Sequence, residues 1–340
     1  MNKDLGIQKL FFDSVRQRVP EHISIVHEIA EVLGISYDSA YRRLRGEKAL
    51  SIEEMKLLSY KFRISIDSLF GMNNADILFQ PFIFYADDEG LENWLRWRIS
   101  EVQRLNAAAS KELIMVARDL PVYFYFDFPE LAAFKLYFWK KMLLHHPDYH
   151  EKKFDINEEP TKLLETGHYL LDAYNKIPSS EIWCYETFTR IMKQIVFCSV
   201  SGFFIHKNYA TLLFDKLESL VRHMENQAAQ GCKFHVSYNP TENEEENFKV
   251  FFNEVLLIDN TVFVQRDDKK FVYMTHNSLD ILITTNHAFC NQVEHSLRII
   301  MKTGNLISGT SAVDCNSYFN SIYEKMEEYR SQSISPRFVL

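Results

Sequence analysis

Apolar positions recur along this chain with two different periods, and the change of period divides it. From Lys3 to Phe70, and again from Leu91 to Gln230, apolar residues return every three or four positions, the spacing of one helix face. Between Lys233 and Thr284, runs rich in Val, Phe, Ile and Tyr are cut by the turn pairs Asp259-Asn260, Asp267-Asp268 and His276-Asn277, the pattern of short strands joined by tight turns. Helical spacing resumes over Asn286–Lys302 and Asp314–Tyr329, and the tail from Ser331, with Pro336, is expected to fray.

The helical stretch at the start is the most informative. Ile7, Leu10, Phe11 and Val15 line one stripe of a helix from Lys3 to Arg18, ended by Pro20. Ile25, Ile29, Ala30 and Leu33 form a second stripe that breaks at Gly34, the residue that best tolerates a left-handed C-cap. Ser36 can cap a third helix, with Asp38 and Ser39 in its first turn and Ala40 and Leu44 on its inner face. Two helices meeting across about three residues make a helix-turn-helix. Ser51 and Glu54 then form a capping box for a fourth helix carrying Ile52, Met55, Leu58 and Phe62.

At these residues the chain resembles the Cro and phage-repressor type of helix-turn-helix regulator, the xenobiotic-response-element family. Ala30 and Gly34 stand where that family keeps a small residue and a turn glycine, Gly46-Glu47-Lys48 resembles its exit loop, and Ile64–Phe70 resembles its closing fifth helix. The family has an apolar residue where Arg43 stands, and here the apolar residue is Leu44. The resemblance implies a cytoplasmic, sequence-specific regulator of transcription that binds double-stranded DNA. Tyr37, Asp38 and Arg42, then Ser39 and Arg43, are expected at base edges, because they lie on the start and outer face of the third helix and Arg can donate two hydrogen bonds to guanine. Ser36, Arg45 and Lys48 are better placed for phosphates. A helical hairpin that binds a partner protein or ligand instead of DNA is the alternative.

The expected fold class is α+β: an all-α, five-helix domain over residues 1–71, then an α+β domain over 80–330 in which helices cover a mainly antiparallel sheet. In the larger part, Glu112–Leu120 reads as a buried strand or short buried helix, Lys233–Tyr238 as a strand, and Leu91–Ala109, Pro129–His146, Thr161–Ile177, Ser180–Phe204 and Tyr209–Gln230 as helices. The order of two hairpins and a helix across Glu254–Lys302 resembles half of a phospholipase-D-type domain. The His-x-Lys pair such enzymes need is missing, since Lys207 follows His206 directly.

Composition narrows the classes. With 340 residues, 27 Phe and 17 Tyr but only 10 Gly, the chain can bury a large core. Five cysteines without a C-x-x-C indicate neither a disulfide framework nor a zinc site. The most apolar run, Ile195–Ile205, is eleven residues, well short of the roughly 18 to 20 a membrane helix needs. Net charge is −8. Residues 1–71 hold eleven basic and ten acidic side chains, +1, which leaves −9 for the rest. A basic patch from Arg42 to Lys48 on a neutral domain, joined to an acidic body, fits a molecule that meets DNA at one end.

No Gly-rich phosphate loop, G-x-S-x-G elbow or HExxH helix is present, so no catalytic residue, metal ligand or cofactor is assigned and the chain is read as a non-enzyme. The adjacent His145 and His146 point about 100° apart on a helix, and although His146 and His150 could meet, Pro147 interrupts the helix, so the group reads as a solvated helix end. The acidic run Glu242 to Glu246 reads as a solvated loop. The aromatic run Tyr123–Phe128 is core or the wall of a pocket for a small-molecule effector. The larger domain is expected to sense such an effector or to join two chains in a homodimer.

Overall fold

The computed structural model describes residues 6–16, 18–19, 23–64, 66, 77–82, 88–158, 161–238, 240, 245–255, 259–275, 279–309 and 312–334. The chain divides into two compact units, 1–78 and 79–340.

The N-terminal unit is helical: α1 (Ile7–Arg16), α2 (Ile25–Leu33), α3 (Tyr37–Leu44) and α4 (Ile52–Phe62). Their inner faces meet in a core of Phe11, Phe12, Val15, Ile29, Ala30, Ala40, Leu58, Phe62 and Ile64. Each large side chain removed from water there contributes about 1.5–3 kcal/mol. The fifth helix expected over 64–70, and the boundary at 71–76, lie largely outside the described residues.

The larger unit is built on one eight-stranded sheet, β1 (Gln80–Phe82), β2 (Lys111–Ala117), β3 (Ser179–Trp183), β4 (Phe248–Phe252), β5 (Thr261–Arg266), β6 (Lys269–Thr275), β7 (Ile281–Thr284) and β8 (Asn305–Leu306), in the order β1-β7-β6-β5-β2-β3-β4-β8. The sheet is mainly antiparallel, as the sequence implies, but β2, β3 and β4 run parallel at its middle. Parallel neighbours need long crossovers, and helices supply them. A 3-10 helix (Val122–Asp127), α6 (Pro129–Phe138) and α7 (Thr161–Asn175) join β2 to β3, and α8 (Glu186–Val200) and α9 (Tyr209–Gln230) join β3 to β4. α5 (Asp88–Asn106), α10 (His287–Thr303) and α11 (Ala312–Ile334) complete the unit.

β2 shows why a central strand reads as an unbroken apolar run. Leu113, Met115 and Ala117 enter the large core beneath α5 to α9 and α11, while Ile114 and Val116 enter a smaller core under α10, with Cys290, Leu297 and Ile300. Both faces are covered, so alternation disappears. At the β5–β6 hairpin Asp267 takes φ 54°, and its Oδ1 accepts from the backbone N–H groups of Ala109 and Ser110, both at 3.1 Å. The turn thereby holds the start of β2.

Three expectations are corrected. The helix expected over Ser180–Phe204 begins only at Glu186; Ser179–Trp183 is a strand. There the buried Glu181 accepts from Tyr174 Oη and, at 2.8 Å, from Trp183 Nε1. Lys233 is buried beside them and donates to Ser179 Oγ at 2.9 Å. Second, Lys233–Tyr238 is not a strand, because its N–H groups go to side chains and a turn: Lys233 N to Asn247 Oδ1, Val236 N to Asp127 Oδ2, Tyr238 N to the His235 carbonyl. Third, α11 continues through Ser331 to Ile334. Tyr123 to Phe126 are core residues, at most 9% exposed. Neither the small cavity at Leu136, Tyr137, Tyr149 and Phe154 nor the open groove at Arg222, Tyr323 and Met326 is lined by that segment.

Among the described residues no helix is long and apolar enough to cross a membrane. None of the five cysteines is in a disulfide, and all are buried.

Candidate nucleic-acid interface

The geometry of residues 25–54 follows from a few backbone constraints. Gly34 takes φ 63°, a left-handed conformation that closes α2, and the Ile35 N–H returns to the Ala30 carbonyl at 3.0 Å. Ser36 is extended and caps α3, accepting from the Ser39 N–H at 3.3 Å. Gly46, at φ 76°, turns the chain out of α3, and the Glu47 N–H closes on the Arg42 carbonyl at 2.9 Å.

The exit loop is held from α1. Gln8 donates to the carbonyls of Arg43 (2.7 Å) and Lys48 (2.8 Å) and accepts from the Leu50 N–H (2.9 Å). One amide thereby satisfies three backbone groups of the α3–α4 connection, which fixes α3 against α1. Nothing in the hydrophobic pattern marks Gln8; a lone polar residue on the apolar side of α1 was the available signal.

Ser51 and Glu54 form the expected capping box on α4. Glu54 does a second task, because both its oxygens also receive the Arg43 guanidinium, Nε to Oε2 at 2.9 Å and the neighbouring amine to Oε1. Arg43 further donates to the Ser39 carbonyl at 3.1 Å, and its side chain is 4% exposed. The Arg43 bond is the main reason the Glu54 carboxyl lies below the usual carboxylate range, against an opposing effect of burial.

This settles which way α3 is turned. Ala40 and Arg43 face inward and Leu44 is only partly buried. Arg43, an expected base contact, therefore points away from the exposed face: it fills the inward position with its stem and spends its charge on Glu54. The other expected residues divide simply. Ser36, Tyr37, Asp38, Arg42, Arg45 and Lys48 are exposed and Ser39 is half-buried. The Ser36 hydroxyl is already engaged by Ser39. Tyr37 packs its ring 5.6 Å from His27 of α2, and the Arg45 guanidinium lies 4.6 Å over the Tyr41 ring. Glu47 lies 3.9 Å from Arg42 and 3.7 Å from Arg45, a carboxylate between the two exposed guanidinium groups.

Residues 11–89 match the family model of the BetR domain. The BetR domain is a helix-turn-helix-like DNA-binding domain, and the match begins in α1, takes in the whole of α2 to α4 and ends at the start of α5. The N-terminal region is thus of helix-turn-helix type with a regulatory character, whereas residues 90–340 lie outside the match. No curated protein and no solved structure matches the chain.

In the larger unit, the histidines His146 and His150 each turn to a neighbour, Asp148 N and Glu151, and His206 and Lys207 are exposed on the loop before α9. A different group does converge: Asp127, His168, Asp172 and His235.

Proposed function

We propose that this protein is a sequence-specific, DNA-binding regulator of transcription, with the Cro-like arrangement of α2 and α3 as its reading head and the larger unit as a sensing or dimerising body that does no chemistry. The observation that carries this reading is α3 itself. Its inner face is fixed by Ala40, Arg43 and Glu54, and its outer face leaves Tyr37, Asp38, Arg42 and Arg45 exposed beside the BetR-type turn. A rigidly presented helix with exposed Arg and short polar groups suits a major groove.

On this reading Tyr37, Asp38 and Arg42 reach base edges, with Ser39 behind them, and Ser36, Arg45 and Lys48 meet phosphates. Binding is tested by fluorescence anisotropy with operator and random duplexes across a salt series. Arg42→Ala should cost about 1–3 kcal/mol at the specific site and much less on random duplex. Equal losses on both would make Arg42 a phosphate contact and overturn its assignment.

A second reading, a helix-turn-helix that grips a protein, has one observation in its favour: Glu47 offsets two of the exposed guanidinium groups. Absence of any duplex binding at low salt would establish it over the first.

A further inference from the structure

We propose that Asp127, His168 and His235 bind one transition-metal dication of the zinc class, with Asp172 as the carboxylate that orients His235. The three would-be ligands come from separate elements: Asp127 from the end of the 3-10 helix, His168 from α7, and His235 from the segment after α9. One ligand atom from each lies within 4.8 Å of the other two. His235 Nδ1 is 2.9 Å and His168 Nδ1 is 3.8 Å from the same oxygen, Asp127 Oδ1. Two ligand atoms on a tetrahedral zinc, at about 2.0–2.2 Å from the metal, stand about 3.3 Å apart. The two spacings to Asp127 straddle that value, and the two histidine nitrogens lie within 4.8 Å of one another, so a modest inward movement of His168 would close the set on one ion.

His235 stands between two carboxylates, Asp127 at Nδ1 and Asp172 at Nε2, which suits an imidazolium in the metal-free protein and a metal-bound imidazole in the loaded one. Asp127 is 6% exposed, and its other oxygen is held by the Val236 N–H at 2.9 Å, which aims Oδ1 at the two imidazoles. His235 turns Nε2 to Asp172 Oδ1 at 2.7 Å, the outer carboxylate that ligating histidines commonly keep. His168 Nδ1, at 3.8 Å, is too far from Asp127 for a hydrogen bond. The two imidazole rings lie side by side, centroids 4.9 Å apart. As a pair of cations they would repel; as neutral ligands of one dication they would not. His168 is half exposed, which leaves a fourth position open to water or a small anionic ligand.

The closeness is built into the packing. Gly167 sits against the Phe126 ring so tightly that a Cβ there would meet it at 2.0 Å. The glycine lets α7 settle onto the 3-10 helix and brings His168 to Asp127. The mixed nitrogen and oxygen set suits zinc better than magnesium or calcium, which prefer oxygen alone.

The test uses the full chain stripped with a chelator and titrated with Co2+ and Zn2+. One equivalent of Co2+ should give the visible absorption of a low-symmetry, near-tetrahedral site, and Zn2+ should displace it. His168→Ala, a change at a half-exposed side chain, should weaken binding at least tenfold and alter the spectrum. His235→Gln should abolish the spectrum. Asp172→Asn should weaken binding about tenfold and shift the bands, and Asp172→Glu should restore both. Zn2+ should raise the melting temperature of the wild type and not that of His168→Ala. No stoichiometric binding, or binding untouched by His168→Ala and His235→Gln, overturns the proposal and leaves the group as an ion-pair latch.

Discussion

Arg43 illustrates how one side chain can carry two roles that sequence pattern keeps apart. A guanidinium on a helix-turn-helix suggests DNA, yet here the stem fills an apolar position and the head is bound by Glu54. Glu54→Gln keeps the size and the capping acceptor but removes the charge. It should cost the N-terminal unit about 3 kcal/mol, because a buried guanidinium loses its counter-ion, as read from urea midpoints. The same pair sets an acid limit. A carboxyl whose folded pKa is depressed stabilises fully above its unfolded value, about 4.3, and that contribution is lost as pH falls through the lower folded value. The wild-type unit should therefore lose stability below about pH 4.3, and Glu54→Gln should flatten that part of the profile. Gly167 is the counterpart in the larger unit: Gly167→Ala drives a methyl group into Phe126 and should cost about 1–3 kcal/mol as measured by thermal unfolding.

Among elements, α3 and β3 show how far a pattern can be read. The stop of α2 at Gly34, the Ser36 cap and the Ser51–Glu54 box follow from local chemistry, and each appears where sequence places it. β3 was hidden because Ser179-Ser180-Glu181 has the look of a helix start. What makes it a strand is the burial of Glu181 among Tyr174, Trp183 and Lys233, partners that a local window does not bring together. Burial raises the Glu181 pKa and lowers that of Lys233 to about 7, so this element keeps its polar groups at some expense. Glu181→Leu strands the buried Trp183 Nε1 donor and removes the carboxylate beside the buried Lys233, and should destabilise the larger unit by about 3–5 kcal/mol; Glu181→Gln, which retains an acceptor, should cost clearly less. For α3 the informative change is Glu47→Gln. Removing the carboxylate between Arg42 and Arg45 should tighten binding to random duplex and steepen its salt dependence, by up to about 0.9 per additional phosphate neutralised; an unchanged slope would mean these guanidinium groups do not meet DNA. The candidate metal residues escaped sequence reading for a related reason. Only His168 and Asp172, one helical turn apart, share a local signature, and Asp127 and His235 reach them through the fold.

For the whole molecule, the proposed function would have the neutral N-terminal residues meet DNA while the acidic remainder is repelled from it. A single module of this size reads few base pairs, and regulators of this architecture gain specificity by spanning two half-sites about one helical turn apart. The full chain should accordingly run as a homodimer in light scattering at micromolar concentration, and a monomer with and without DNA would remove that part of the proposal. Coupling between the units is measured by comparing operator affinity of the full chain with and without added Zn2+; a tenfold change corresponds to about 1.4 kcal/mol.

The sheet order has a further consequence, for the order of events during synthesis. β1 pairs residue 80 with residue 283, and β2 pairs residue 111 with residue 266, so the sheet of the larger unit cannot close until nearly all of the chain has left the ribosome. The contacts of α1 to α4 are complete by Ile64. At about 5–20 residues per second, tens of seconds separate the two moments. Throughout that interval the nascent chain carries a folded helix-turn-helix unit beside parallel and edge strands that still lack their partners. Folding of the larger unit, with its long-range pairings, is therefore the slow and aggregation-prone step of biogenesis.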